Sequence, residues 1–345
     1  CAPPSSGLLA GAVVVASDRV IGKGASDPER SVEAIESALV EAGSLAEGAT
    51  LYTTLAPGRG ETVAAIIGWR VSRVVIGDLR PASKEQAIAI SHLRRSGVEV
   101  ETGVCEQECR EVNEVFFKYS RTGLPFVTVK FASTLDGRIA TLTGDSQWIS
   151  SPASLRLAHE LRCHHDAILV GIGTVLKDDP RLTVRLVDGR DPLRVIIDSR
   201  LRIPLAARVI AEGAAHRTLI ATSEMADMEL ASELEKLGAE VLTLPATDAP
   251  LGVNLIDTLR ALGRRRISSV LVEGGARIIT SLLAAGLVDR VVVAIAPRII
   301  GRGIEAIGDL GITKLGDAIT FASVKLRRLG PDIIFDGRLN KISEW

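Results

Sequence analysis

The chain has 345 residues, a length that suggests about two domains. Its 41 lysine and arginine residues balance 42 aspartate and glutamate residues, and only 3% of its residues are aromatic. The sequence therefore offers neither the basic surface nor the stacking platforms that binding to nucleic acid or to an anionic membrane requires. No run of about 18 apolar residues predicts a membrane span, and four cysteines without a CxxC pair favour a cytoplasmic protein.

The first half alternates strand and helix patterns, which predicts a layered α/β domain. The expected strands are 11–16, 20–24, 49–54, 73–77 and 98–102, and the expected helices are 28–43, 61–69, 83–96 and 106–121. The last helix ends at Gly123-Leu124-Pro125. We place the domain boundary there, with a first domain of residues 1–123 and a second of residues 124–345.

The second half restarts the alternation. Its expected strands are 127–132, 165–171, 193–198, 218–222, 240–244, 268–272 and 288–295, followed by an antiparallel pair, 319–327 and 332–335. Its expected helices are 152–163, 173–177, 228–237, 253–262 and 276–285, the first of them preceded by an N-cap, Ser151, with Pro152 at the first helical position. This order predicts a mostly parallel sheet with helices on both faces and an antiparallel end.

The segment 127–151 is unusual for a structural element. Lys130 interrupts an apolar strand, where an ammonium group is costly unless it meets a partner or a ligand. A polar loop with a tryptophan, residues 144–148, separates this strand from the capped helix. Open α/β sheets bind their ligands in loops at the carboxyl ends of the strands, so this loop is a candidate ligand site.

This segment resembles the start of the reductase domain of the RibD family of bifunctional riboflavin-biosynthesis enzymes. The family motifs run close to K-x-A-x-S-x-D-G-R-x-A and G-x-S-x-W-I, and the sequence departs from them only in having Thr134 for the serine. The resemblance continues without a gap through T-V-L-K-D-D-P-R-L-T-V-R, residues 174–185, and through Glu273-Gly274-Gly275. It implies an α/β fold in which a cytidine-deaminase-like α/β/α domain precedes a dihydrofolate-reductase-like α/β domain.

The same resemblance implies NADPH as cofactor and reduction of the ribosyl side chain of 5-amino-6-(5-phosphoribosylamino)uracil to the ribitylamino form. The polar groups expected near the reacting carbon are Lys130, Asp178 and Glu273. The expected substrate contacts are Ser146, Arg162, Leu182, Arg185 and Glu273, and the expected cofactor contacts are Ala132, Trp148, Thr174, Asp178, Ser199, Gly275, Ala276, Arg277, Ile278, Ile279, Thr280 and Ser281. Arginines suit the substrate phosphate, and the amides at a helix start suit the cofactor pyrophosphate.

Local sequence alone leaves simpler interpretations open. Asp178-Asp179-Pro180 is also a common way to end and turn a helix, and paired glycines before a helix also form ordinary tight turns. Arg200, which follows a predicted strand, is either a contact for the 2′-phosphate of NADPH or a solvated loop arginine. The pair His164-His165 is interpreted as capping or core residues, not as ligands.

The first half resembles the family's deaminase domain but lacks its chemistry. Zinc deaminases need a histidine and two cysteines for the metal and a glutamate for proton transfer. In register with the family, Glu33 occupies the histidine position, Ile35 the glutamate position and Gly58 a cysteine position, and the shortened loop 59–63 holds no second cysteine. We therefore expect a deaminase fold without zinc or deaminase activity.

Three further questions concern substrate, partners and assembly. The alternative substrate is the undeaminated 2,5-diamino-6-ribosylamino-pyrimidinone phosphate, and the alternative of another class is a non-catalytic partner of a separate deaminase. We expect a phosphoribosylamino-pyrimidine as the ligand, a homo-oligomer with a dimer favoured, and neither nucleic acid nor membrane as a partner.

Overall fold

A computed structural model describes residues 8–26, 33–79, 84–211, 213–247 and 251–340. The chain divides into two compact units, one ending at Phe117 and the other beginning at Lys118. Within the described ranges, no helix has the length and apolar character needed to cross a bilayer.

In the first unit, the described residues form a sheet in the order β2-β1-β3-β4-β5. Its strands are β1 (Gly11–Ala16), β2 (Arg19–Ala25), β3 (Thr50–Leu55), β4 (Arg73–Asp78) and β5 (Glu99–Thr102). Its helices are α1 (Ala34–Ala42), α2 (Gly60–Gly68), α3 (Lys84–Arg95) and α4 (Glu106–Val112), and α5 (Glu114–Thr122) contains the division between the units. β1 is antiparallel to β2 and β3, whereas β3, β4 and β5 are parallel.

Helix α1 packs closely against β2 because β2 carries glycine where the two elements meet. A Cβ atom on Gly24 would lie 1.9 Å from the carbonyl oxygen of Ala34, and one on Gly22 would lie 2.2 Å from that of Ala38. The predicted helix 28–43 is confirmed from Ala34 to Ala42; Glu33 precedes it as an extended N-cap, and residues 28–32 lie outside the described residues.

The single helix expected over 106–121 is wrong, because the chain forms two helices separated at Asn113. This residue is buried, and its amide accepts a hydrogen bond from Leu9 N at 2.8 Å and donates one to Leu9 O at 2.9 Å. Asn113 thus forms two hydrogen bonds with the main chain of Leu9, at the position where the helix is interrupted.

The second unit contains a larger sheet, which within the described residues has the order β11-β10-β9-β8-β12-β6-β13-β16-β15. Its strands are β6 (Phe126–Thr134), β8 (Ala167–Gly171), β9 (Leu193–Ile197), β10 (Thr218–Ser223), β11 (Glu240–Leu244), β12 (Ser269–Glu273), β13 (Arg290–Ala296), β15 (Phe321–Leu329) and β16 (Asp332–Leu339). The strands from β11 to β13 run parallel, and β16 and β15 close the sheet antiparallel, as the sequence predicts.

Helices cover both faces of this sheet. They are α6 (Pro152–Cys163), α7 (Ile172–Asp178), α8 (Met228–Lys236), α9 (Leu255–Arg264) and α10 (Ala276–Ala284). Leu157 and Leu161 of α6 pack on one face, against Leu271 and Val292, while α9 and α10 bury their apolar sides on the other. The predicted cap of α6 is confirmed, since the Ser151 side chain accepts a hydrogen bond from Ser154 N.

Two short strands that the sequence does not predict form a separate pair. β7 (Arg138–Thr141) is antiparallel to β14 (Gly303–Glu305). A Cβ atom on Gly303 would lie 2.5 Å from the carbonyl oxygen of Ala140, so the close approach of the two strands depends on this glycine. The carboxylate of Asp136 supports the same region by accepting hydrogen bonds from the amides of Ile300 and Gly301.

Candidate active site

Polar side chains lie together at the carboxyl ends of the parallel strands of the second sheet, which we call its carboxyl edge. Lys130 on β6 lies in register with Glu273 on β12, and Gly171 on β8 lies in register with Ile197 on β9. In-register residues of parallel strands point to the same face, so Lys130 and Glu273 share the face that α6 covers. This edge is where open α/β sheets bind their ligands.

Arg162, at the end of α6, forms a paired contact with Glu273. Its Nε donates to Oε1 at 2.8 Å and its Nη2 to Oε2 at 2.7 Å, while Nη1 donates to the carbonyl oxygen of Thr183 at 3.0 Å. The side chains are only 12% and 14% exposed. The sequence predicts both as substrate contacts, and the structure brings them together as partners of each other.

The cluster also changes the protonation of its members. Burial lowers the pKa of Lys130, an effect that the Glu273 carboxylate opposes and the Arg162 guanidinium reinforces. Burial alone would raise the pKa of Glu273, but the charge and hydrogen bonds of Arg162, together with Lys130, bring it below its ordinary value. Glu273 is therefore held as a carboxylate, whereas Lys130 gives up its proton more readily than an exposed lysine.

His159 is a member of this cluster that our sequence analysis does not identify. It is buried on α6, one turn before Arg162, and its Nδ1 accepts a hydrogen bond from the main-chain N–H of Arg185 at 3.1 Å. Burial and the charges of Arg162 and Arg185 lower the pKa of His159 to about 4. The spacing of three residues from Arg162, on the same face of a helix, is the sequence signal that could reveal it.

Two residues of the segment 182–185 that the sequence predicts as substrate contacts differ in exposure. Leu182 has a φ of 53° and a buried side chain that packs in an apolar cluster with Val170 and Val175. The Leu182 side chain thus packs in the core, and the substrate contact expected of Leu182 stays a prediction, one that would involve its main chain. Arg185, in contrast, is exposed, and burial of part of its guanidinium and repulsion from Arg162 and Arg181 lower its pKa. A site with these three arginines favours an anion.

The loop that carries Ser146 and Trp148 is tied to two other elements. The Nζ atom of Lys177 donates to the carbonyl oxygen of Gly144, which joins the loop to α7. Arg298 Nη1 donates to the carbonyl oxygen of Trp148 at 2.8 Å. Ser146 and Trp148, which the sequence predicts as a substrate contact and a cofactor contact, thus lie on a loop that is hydrogen-bonded to α7, the helix that carries Thr174 and Asp178.

Those two, Thr174 and Asp178, lie one turn apart on α7. Thr174 lies next to the paired glycines after Glu273, since a Cβ atom on Gly274 would be 3.5 Å from Thr174 Oγ1. Asp178 is exposed at the end of the helix, whereas the charged neighbours that shift the pKa of Lys130 are Glu273 and Arg162. Of the three groups expected at the reacting carbon, Lys130 and Glu273 are therefore adjacent and Asp178 lies on another element.

The start of α10 suits a phosphate group. Gly274 and Gly275 both have φ of 79°, and the first amides of the helix have no intrahelical acceptor. Ile278 and Ile279, however, bury their side chains and donate their amides to Gly275 O, and the Thr280 hydroxyl donates to Ala276 O. The cofactor contacts expected of these three residues stay predictions, and Gly275 and Ala276, at the start of the helix, are the candidates whose position suits a phosphate. Ala132 lies on β6, two residues after Lys130, and Arg277 and Ser281 lie on α10.

The ends of β9 and β10 provide a second polar surface on the same edge. Ser199 lies two residues after the end of β9 and against Gly252, whose Cβ atom would be 2.7 Å from Ser199 Oγ. The Oγ1 atom of Thr222 is buried and has no hydrogen-bond partner within the described residues, and the buried Oδ1 atom of Asp198 forms an ion pair with Arg202 Nε at 3.9 Å. A buried hydroxyl without a partner is costly, and a ligand or water that reaches these strand ends would satisfy it. Arg200 is exposed.

The first unit has a cavity of about 280 Å³. Glu33, Ile35 and Gly58, which the sequence predicts at the positions of the zinc chemistry, all line it, and the described lining residues include no histidine or cysteine. Arg59 forms an ion pair with Glu33 at 3.3 Å. In the described part of the chain, no cluster of three or more histidine, cysteine, aspartate and glutamate side chains has a geometry that could hold a metal ion.

Comparison with known proteins identifies the family. The model of the RibD C-terminal domain matches residues 125–335. The chain is 42% identical to the riboflavin biosynthesis protein RibD of Aquifex aeolicus over 330 residues, which cover 94% of this chain and 90% of the relative. It is 39% identical to RibD of Bacillus amyloliquefaciens over 333 residues, with 94% and 88% covered.

Solved structures agree with the sequence comparison. The chain is similar to RibD of Acinetobacter baumannii, with 30% identity, a TM-score of 0.72, and 96% and 92% of the two chains covered. It is also similar to a diaminohydroxyphosphoribosylaminopyrimidine deaminase/5-amino-6-(5-phosphoribosylamino)uracil reductase of Thermotoga maritima, with 34% identity, a TM-score of 0.69, and 96% and 91% covered. The predicted α/β fold class is confirmed, and the chain belongs to the RibD family of riboflavin biosynthesis proteins.

Proposed function

We propose that this chain is an NADPH-dependent reductase that converts the ribosyl side chain of 5-amino-6-(5-phosphoribosylamino)uracil to the ribitylamino form. The observation that carries the proposal is the cluster of Lys130, Glu273 and Arg162 at the carboxyl edge of the sheet, next to the paired glycines of α10. The Thermotoga relative is described with the same reductase activity.

The residues at this edge fit a dinucleotide. Gly274 and Gly275 lack side chains that would block a pyrophosphate, and the amides of Gly275 and Ala276 at the start of α10 would hold it. Thr174 and Ser199, with the Thr222 hydroxyl, which has no hydrogen-bond partner within the described residues, would face the rest of the cofactor, and Arg200 is our candidate for its 2′-phosphate. When bound, NADPH supplies the hydride that C1′ of the opened ribosyl chain accepts.

The substrate would lie between this edge and the arginines. Arg185 would bind its phosphate, together with the N–H groups of Arg162 that do not reach Glu273 or Thr183. An anion placed there would also relieve the repulsion between Arg162 and Arg185 that lowers the pKa of Arg185.

Lys130 is our candidate for the proton donor. Opening of the ribosyl ring breaks the C1′–O4′ bond and leaves a C1′=N imine, so reduction requires a hydride at C1′ and a proton at nitrogen. The lowered pKa of Lys130 eases release of a proton, whereas Glu273, held as a carboxylate, would orient the substrate and stabilise positive charge that develops at C1′.

A rate measurement of NADPH oxidation tests this proposal with the deaminated and the undeaminated pyrimidine as substrates. We expect turnover of the deaminated one, and Lys130→Met should lower kcat by about 100-fold or more because general acid catalysis contributes on that scale. Lys236→Met, a change on an exposed lysine of α8, is the matched control. Turnover of only the undeaminated pyrimidine would show that this compound is the substrate. Failure to bind NADPH would contradict the reductase proposal and favour the alternative of a non-catalytic partner of a separate deaminase.

We propose in addition that the first unit has lost deaminase activity and zinc. Arg59 neutralises Glu33 and would repel a metal cation from the cavity, and Ile35 cannot transfer a proton. Elemental analysis should find no stoichiometric zinc, and incubation with the diaminopyrimidine should release no ammonia. Either zinc or ammonia would refute this part of the proposal. We further expect a cytoplasmic protein that forms a homodimer; light scattering of the purified chain would test the dimer, and fractionation of cells would test the location.

A further inference from the structure

Arg185 is exposed, yet the main chain that carries it is held from inside the protein. Its amide donates to Nδ1 of His159, which is 3% exposed and belongs to a helix anchored on the sheet by Leu157 and Leu161. Two residues earlier, the carbonyl oxygen of Thr183 accepts from Arg162. The segment around Arg185 is therefore connected to α6 at two points.

The hydrogen bond requires a neutral imidazole. Nδ1 can accept from Arg185 N only when it carries no proton, so the ring proton must lie on Nε2. The charged groups that act on His159 come from every side: Arg162 on its own helix, Arg185 on the neighbouring segment, Lys130 on β6 and Glu273 on β12. Burial is the largest cause that lowers the pKa of His159, to about 4, and the three cations add to it against the single carboxylate, so near pH 7 the ring is neutral and Nδ1 can accept.

We propose that His159 is a positioning residue that fixes the Arg185 main chain, and through it the guanidinium, at the phosphate end of the substrate site. This inference rests on the proposed reductase function, because it assigns His159 a part in holding that substrate. His159 has no chemical part in the reaction, and its effect passes through Arg185. Without it, Arg185 keeps its charge but samples many positions.

The experiment compares His159→Leu, which removes the acceptor, with His159→Asn, whose side-chain oxygen can replace Nδ1. We expect the KM for the phosphorylated pyrimidine to rise about tenfold in the leucine variant, the factor that corresponds to loss of one buried hydrogen bond. Its kcat and its KM for NADPH should stay within about twofold, and the asparagine variant should recover most of the loss. His164→Leu, on the exposed histidine five residues along, is the matched control.

Two direct measurements separate failure of this inference from failure of the proposed reaction. Protection of the Arg185 amide from hydrogen exchange should be lost in His159→Leu and retained in His159→Asn. Calorimetric titration with inorganic phosphate should show weaker binding only in the leucine variant. If the wild type binds phosphate but reduces neither pyrimidine, the reductase proposal fails while His159 keeps its assigned role. If the leucine variant matches wild type in KM and amide protection, or the asparagine variant is equally impaired, the inference is overturned.

Discussion

The pair of Arg162 and Glu273 allows a quantitative prediction that does not depend on catalysis. Both carboxylate oxygens accept a hydrogen bond from the guanidinium, and both side chains are at least 86% buried. Glu273→Gln would leave Arg162 and Lys130 as neighbouring buried cations without their carboxylate. Removing one partner of a buried ion pair costs about 3–5 kcal/mol, and we expect that loss in the stability of the second unit.

Arg162→Met should cost less than Glu273→Gln, since Lys130 still compensates the charge of Glu273. The double variant removes both charges, so its cost should be smaller than the sum of the single costs by about 2–3 kcal/mol. Hydrogen exchange of the β6 and β12 amides is the suitable assay, because it reports the opening free energy of this unit without requiring the two units to unfold together.

The pH of the measurement matters. The pKa of Glu273 is lowered in the folded protein, so its contribution to stability is complete above the unfolded value and is lost as the pH falls through the folded value. At pH 7 the pair is fully formed. A loss of opening free energy below about 1 kcal/mol in each single variant would contradict a buried ion pair. Losses that simply add in the double variant would contradict coupling between the two side chains.

Three further predictions concern other parts of the fold. Burial lowers the pKa of His165 from 6.5 to about 4. This shift corresponds to about 3 kcal/mol of stability, which is lost as the pH falls from about 6.5 to 4. Hydrogen exchange measured over this pH range should show a flatter dependence of stability on pH in His165→Gln. Gly24→Ala should destabilise the first unit by about 1–3 kcal/mol because its Cβ atom would collide with α1. Gly11→Ala is the control, because its Cβ atom would make only an ordinary van der Waals contact. Equal unfolding curves for the two variants would disprove this packing. Asp136→Ala should release the loop 298–302, so trypsin should cut there faster than in the wild type, and an unchanged cutting rate would show that the carboxylate does not hold the loop.

The sequence predicts elements well where local signals are strong. Helix α6 begins and ends where the sequence predicts, because Ser151 and Pro152 define its start. The alternation of apolar segments predicts the order of strands and helices in both units. Lys130 is recognisable because a charge inside an apolar strand requires an explanation, and Glu273 because it matches the Glu-Gly-Gly motif of the family.

Features that depend on distant contacts are missed. Arg162 and Glu273 are 111 residues apart, and their pairing follows only from the way α6 crosses the sheet. Asn113 interrupts a helix through contacts with Leu9, 104 residues away. The strands β7 and β14 are four and three residues long, too short for a periodic pattern. Leu182 matches the motif in sequence, yet its left-handed backbone conformation directs the side chain into the core.

The order of the second sheet suggests how the enzyme could be labelled without harm. Lys130 and Glu273 lie on neighbouring central strands, while β15 is the third strand beyond β6 and β11 the fourth beyond β12. At a spacing of about 4.8 Å between strands, these edges lie about 14 and 19 Å from the strands that carry the charged pair. A fluorophore or affinity tag attached along β15 would thus report on the protein from a safe distance, whereas β11 pairs with β10, whose end carries Thr222 of the proposed cofactor surface.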